Sequence, residues 1–187
     1  MERRGGYGFG GEAAGLARAA GAPLFVAAAT ATLAVVAWFG GKVGALDDGS
    51  FVGTLPGWGV AMVGAWMAAA ALVSLALPVV ALAIWGRHKG VREALLPYVF
   101  VLAVQISVEI FFARIFFPNI VVLTGITFTL YRLGQLARAR RAFAATGGPG
   151  AYGRAIVGSL LSLGVVFWSA NLVFLVLVAL PRALQLA

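Results

Sequence analysis

The sequence contains no cysteine. That excludes disulfides, thiol redox chemistry, iron–sulfur ligation and palmitoylation. Histidine is nearly absent: His88 stands alone, between Arg87 and Lys89. Bis-histidine haem ligation within the chain is therefore excluded, and no metal site is expected, since a histidine- or thiolate-based ligand set is missing. The two lysines, Lys42 and Lys89, lie outside every apolar run, so no buried Schiff base is available. Charge is also scarce. Charged residues make up 11% of the chain, against ~25% in ordinary soluble domains.

What is present is apolar length. Of the 187 residues 62% are hydrophobic, in continuous runs. Such runs indicate helices in lipid, since every backbone group there must be paired within its own segment. A transmembrane barrel would need alternating apolar and polar residues, which these runs lack. The expected fold is all-α: a polytopic membrane bundle of about five spans, near 22–39, 58–85, 95–116, 119–136 and 155–180. It forms a single bundle over 22–187, preceded by a glycine-rich cytoplasmic arm over 1–21. Within that arm, Gly11 to Ala20 suits a short interfacial helix. Pro23 is expected in the first turn of span one, and Pro181 is expected to close the last span. A cleaved signal peptide is the rival reading of span one, with Val43-Gly44-Ala45 as the cleavage site. Gly64, Ala68 and Ala71 form a small-residue stripe suited to close helix contact. Pro78 is expected to kink span two.

The stretch Leu95–Tyr131 organises the rest. As one helix its 37 residues would reach ~55 Å, well beyond a hydrocarbon core of ~30 Å. A tight helical hairpin, broken near Phe117-Pro118-Asn119, resolves the mismatch, because proline disfavours helix at the residue before it. The charge pattern agrees. With two crossings, Arg3, Arg4, Arg18, Arg87, Lys89, Arg92, Arg132, Arg138, Arg140, Arg141 and Arg154 fall on one side, and only Lys42, Arg114 and Arg182 on the other. The positive-inside rule puts the first group, and the N-terminus, in the cytoplasm, and the C-terminus outside. The net charge of +8 is then a membrane signal and does not point to nucleic acid. Asp47-Asp48-Gly49 reads as an exposed turn on the outer side, and Gly147-Gly148-Pro149-Gly150 as a linker without the ending of a phosphate loop.

Polar residues inside the apolar runs are the candidate site. Gln105 and Glu109 are four apart and share a helix face. Thr124, Thr127, Tyr131 and Gln135 form a stripe on the returning arm, expected to face them. Arg114 is the nearest cation to Glu109 in sequence, and Asn119 sits at the break. Glu109 is the one acid inside an apolar run. A carboxylate there is costly and calls for a partner or a function. Trp168 and Asn171, three apart in the last span, are candidates for core packing or for contact with a ligand or partner. No catalytic residue is assigned.

Three functions fit these residues. The first is a non-catalytic membrane component, a structural or accessory subunit of a complex or a homo-oligomer, with lipids and membrane subunits as partners. The second is an oligomeric ion or proton channel or transporter using Glu109, Gln105 and Arg114. The third is an intramembrane enzyme on a lipid or isoprenoid with Glu109 as general acid. No cofactor is required. A hydrophobic pigment, quinone or lipid is the kind of ligand this surface accepts.

Overall fold

The computed structural model describes residues 9–42, 51–115, 119–146 and 149–184. Over these residues the chain is helical, without a strand. The elements are α1 (Phe9–Lys42), α2 (Gly57–Ala70), α3 (Leu77–Trp85), α4 (Lys89–Ile115), α5 (Ile120–Thr146), α6 (Gly150–Phe174) and α7 (Leu180–Ala183). Five stretches are long and apolar enough to cross a membrane: Gly21–Phe39, Gly57–Trp85, Lys89–Ile115, Ile120–Thr146 and Gly150–Ala183. The expected aspartate turn, cleavage site, Phe117-Pro118 and Gly147-Gly148 lie outside the described residues.

Two long stretches stay helical across a proline by widening one turn. Ala71–Ala76 joins α2 to α3, and Leu175–Ala179 joins α6 to α7, both as π-helix. In each, the residue just before the proline donates its N–H five residues back, Leu77 to Leu72 and Leu180 to Leu175. The wider turn relieves the clash between the ring and the preceding turn. Pro181 therefore does not close the last span as expected, and helix continues to Ala183. Pro23 also departs from expectation. It lies inside α1, not in its first turn, because alanine-rich sequence upstream carries the helix back to Phe9. The arm expected over 1–21 is thus helical from Phe9. The basic connection over 86–93, between the spans expected near 58–85 and 95–116, is also shorter than expected. Helix resumes at Lys89, supported by an exposed Lys89–Glu93 ion pair of 3.9 Å at i,i+4 spacing.

α4 and α5 form the expected antiparallel hairpin, and α1, α3, α6, α7 and both π segments pack on it. α5 is the hub. Half of its most apolar span-length window is buried, against 17% for the α2–α3 rod. One apolar cluster joins α1 to the hairpin through Ala29, Leu33, Ala37, Val101, Phe112 and Phe128. A second joins α3, α4, α5 and α6 through Ala81, Leu95, Leu102, Leu136, Leu161 and Phe167. Gly164 lets α6 approach α5, since a β-carbon there would already touch Leu136 at 3.4 Å. The Gly64, Ala68 and Ala71 stripe behaves differently. Its residues are exposed, and a β-carbon on Gly64 would meet nothing within 4 Å.

Candidate functional site

Gln105 and Glu109 do meet, one helical turn apart on α4. The Gln105 side-chain amide donates to Glu109 Oε1 at 2.5 Å. The other end of Gln105 accepts a hydrogen bond from Arg132 Nη2 on α5. Only this orientation of the amide works, because a carboxylate can only accept and a guanidinium can only donate. The result is a relay, Arg132–Gln105–Glu109, in which two opposite charges are joined through a neutral amide. They also attract each other directly.

Arg132 is the residue that charge counting misplaced. It was expected among the cytoplasmic arginines after Tyr131, yet it is fully buried in the bundle. Its guanidinium lies 3.8 Å from the centre of the Trp168 ring and 5.9 Å from that of Tyr98. Trp168 in turn donates its indole N–H to the Tyr98 hydroxyl at 2.9 Å. The cation is therefore held by one amide and one aromatic face, a favourable arrangement for a desolvated arginine. Among the described residues its Nε and Nη1 have no hydrogen-bond partner, and neither does Oε1 of buried Gln135, one helical turn further along α5. Arg114, by contrast, is exposed in the last turn of α4 and makes no ion pair within 4 Å among the described residues. Of the two arginines, Arg132 and not Arg114 is the one joined to Glu109, through Gln105.

The remaining candidates divide. Thr124 and Thr127 turn their hydroxyls back onto their own helix, to the carbonyls of Ile120 and Leu123. This is the usual fate of a helical threonine without a polar neighbour. Tyr131 faces the other flank and stacks on Phe25 of α1, ring centres 3.8 Å apart and nearly parallel. Tyr131 therefore sits against α1, and among the described residues neither Thr124 nor Thr127 is hydrogen-bonded to Glu109. Asn119 is buried at the start of the returning arm. Asn171 is a tie between three elements: it accepts from the Trp66 indole at 2.9 Å and donates to Thr129 at 3.4 Å. Trp66, Thr129 and Arg132 were missed in the sequence because each sits in an apolar or basic run that gives it no individual signal.

A cavity of about 640 Å³ opens beside this network. Its walls come from α2, α4, α5, α6 and both π segments. They are mostly apolar, with Met62, Leu102, Val122 and Phe174 among them, and among the described residues Glu109 is their one ionisable side chain. Gly125 keeps the space in front of the carboxylate open. A β-carbon there would lie 3.9 Å from Glu109 Oε1 and press on Leu175 at 3.1 Å. Among the described residues no group of three or more metal-binding side chains occurs.

A model described as a domain of unknown function, DUF7733, matches residues 57–186. The chain belongs to the DUF7733 family. The matched region contains the whole relay and nearly all of the cavity wall, and it leaves out α1. No curated protein and no solved structure matches the chain.

Proposed function

We propose that this member of the DUF7733 family is a non-catalytic integral membrane protein that holds a lipophilic small molecule in the cavity between α2, α4, α5 and α6. The observation that carries this reading is an apolar cavity of ligand size with a single carboxylate in its wall. Binding sites for small molecules are typically of ~300–1,000 Å³, largely apolar, with few polar groups. The relay has a supporting role: it supplies Glu109 with a counter-charge and fixes its rotamer, as a preorganised site requires. A channel is less well supported, because Arg114 is exposed and is no part of the cavity wall, and Arg132 is covered by the Trp168 ring. An intramembrane enzyme gains from Glu109 at the wall, but no second titratable group stands there to exchange protons with it.

The five apolar helices support a membrane location, and the charge distribution supports an orientation. Exposed Arg87, Lys89, Arg92, Arg138, Arg140, Arg141 and Arg154 crowd one end of the bundle, with Arg114 and Arg182 at the other. The crowded end is cytoplasmic by the positive-inside rule.

Native mass spectrometry of the protein released from mild detergent tests the proposal. Wild type retains a small lipophilic adduct, and Ala71→Phe, which fills the cavity from its rim, loses it. Identical bare masses for both proteins would contradict ligand binding. A fixed protein partner in the same spectra, with an empty cavity, would favour an accessory subunit instead.

A further inference from the structure

Resting on the cavity reading, we infer that the ligand is a neutral lipophilic molecule ending in a hydroxyl, whose O–H is donated to Glu109. The argument is an inventory of the polar groups in the wall. Gln105 gives one of its two amide hydrogens to Glu109 and its carbonyl to Arg132. Asn171 is engaged at both ends, by Trp66 and by Thr129. The Trp66 and Trp168 indoles give their N–H groups to Asn171 and to Tyr98. What remains is a second amide hydrogen on each of Gln105 and Asn171, and the Glu109 carboxylate, the one charged group of the wall, which accepts one hydrogen bond from the described residues, at Oε1. Its unused capacity is that of an acceptor. The cavity therefore selects a donor. A ketone or an ester carbonyl could take an amide hydrogen but would leave the carboxylate without its donor, whereas a hydroxyl can serve both.

Charge narrows the class further. Arg132 already compensates Glu109 through Gln105, so the buried network is neutral as it stands. An ammonium head would add an unpaired positive charge among apolar walls, which is costly. A hydroxyl adds a donor and no charge. The rest of the cavity, lined by Met62, Met67, Leu75, Leu102, Phe174 and Leu175, accepts an aliphatic body. Methionine is suited to chains of irregular shape because it is unbranched and polarizable.

The probes are ω-bromoundecanol, its methyl ether and ω-bromoundecylamine, titrated against the full-length protein in detergent. Bromine quenches tryptophan on contact, and Trp66 and Trp168 line the cavity. Tryptophans elsewhere give only a linear background as probe partitions. The alcohol is expected to quench saturably, with the ether about tenfold weaker for want of one charge-assisted hydrogen bond, and the amine weaker than the alcohol. Glu109→Leu should bring alcohol and ether to equal affinity, and Ala71→Phe should abolish the saturable component. Should Glu109→Leu not fold, the alcohol and ether comparison on wild type decides alone. Equal, saturable binding of alcohol and ether to wild type overturns the hydroxyl assignment and leaves the cavity reading standing. Tighter binding of the amine overturns neutrality. Linear quenching by all three overturns the cavity reading itself.

Discussion

The α4–α5 hairpin has two flanks, and they are built from opposite materials. Toward α1 the seam is dry and aromatic. Phe25 stacks on Tyr131 and meets Phe128 edge-on at 5.6 Å, among Ala29, Leu33, Val101 and Phe112. Toward α6 the same two helices present Tyr98, Gln105, Glu109, Thr129 and Arg132, tied by hydrogen bonds to each other and to α6. The cavity opens on the second flank only. The difference teaches that the hairpin does not need polar residues to pack, because the α1 flank manages without them. A buried charge pair that packing does not require points to a role beyond cohesion. The family match agrees in extent, since it includes the polar flank and omits α1.

Breaking the polar flank should have the largest effect. Arg132→Met leaves Glu109 buried without its counter-charge and should cost ~3–5 kcal/mol, read by SDS titration in mixed micelles. Adding Glu109→Leu to that variant should recover most of the loss, because no charge is then stranded. If the double variant is no more stable than the single one, the two residues are not coupled. Trp168→Leu removes both the aromatic face under Arg132 and the N–H held by Tyr98. It should cost ~2 kcal/mol, and less than half of that when Arg132 is already methionine.

The dry flank should respond more weakly. Phe25→Ala deletes two ring contacts worth ~0.5–1.5 kcal/mol each beyond area burial, yet acyl chains can fill the space. A loss of about 1 kcal/mol is expected, with no change in quenching by ω-bromoundecanol. An equal loss of ligand binding would erase the distinction between the flanks. The smallest effect belongs to Asn171→Leu. It cuts the tie from Trp66 to Thr129, and such bonds average ~0.6 kcal/mol in a membrane protein.

Much of this was legible beforehand, for identifiable reasons. The five helices follow from apolar length, and the turn from a proline within a stretch too long for one crossing. The Gln105–Glu109 contact follows from helical spacing alone. Arg132 was hidden by its neighbourhood: in YRLGQLARARR it reads as the first of a cytoplasmic cluster. The signal that could have found it was depth. Gln105 lies 13 residues before Pro118 and Arg132 14 after, so a symmetric hairpin sets them side by side. The same symmetry sets Glu109 level with Thr127, each nine residues from Pro118, but depth does not fix rotation about the helix axis, and the Thr127 hydroxyl turns back to Leu123. The π segments before Pro78 and Pro181 carry no sequence mark beyond the prolines themselves. The cavity depends on how α2 leans on α4 and α6, which no local pattern encodes.

The central claim is that α4 and α5 cross the membrane in opposite directions and carry the Arg132–Gln105–Glu109 relay between them. The absence of cysteine makes one measurement direct: single-cysteine variants labelled in intact membranes with an impermeant maleimide. His88→Cys and Arg140→Cys should react from the same, cytoplasmic side, and Arg114→Cys from the opposite side. Labelling of His88→Cys and Arg140→Cys from opposite sides would mean that the chain crosses only once between them, and the hairpin that holds the relay would not exist.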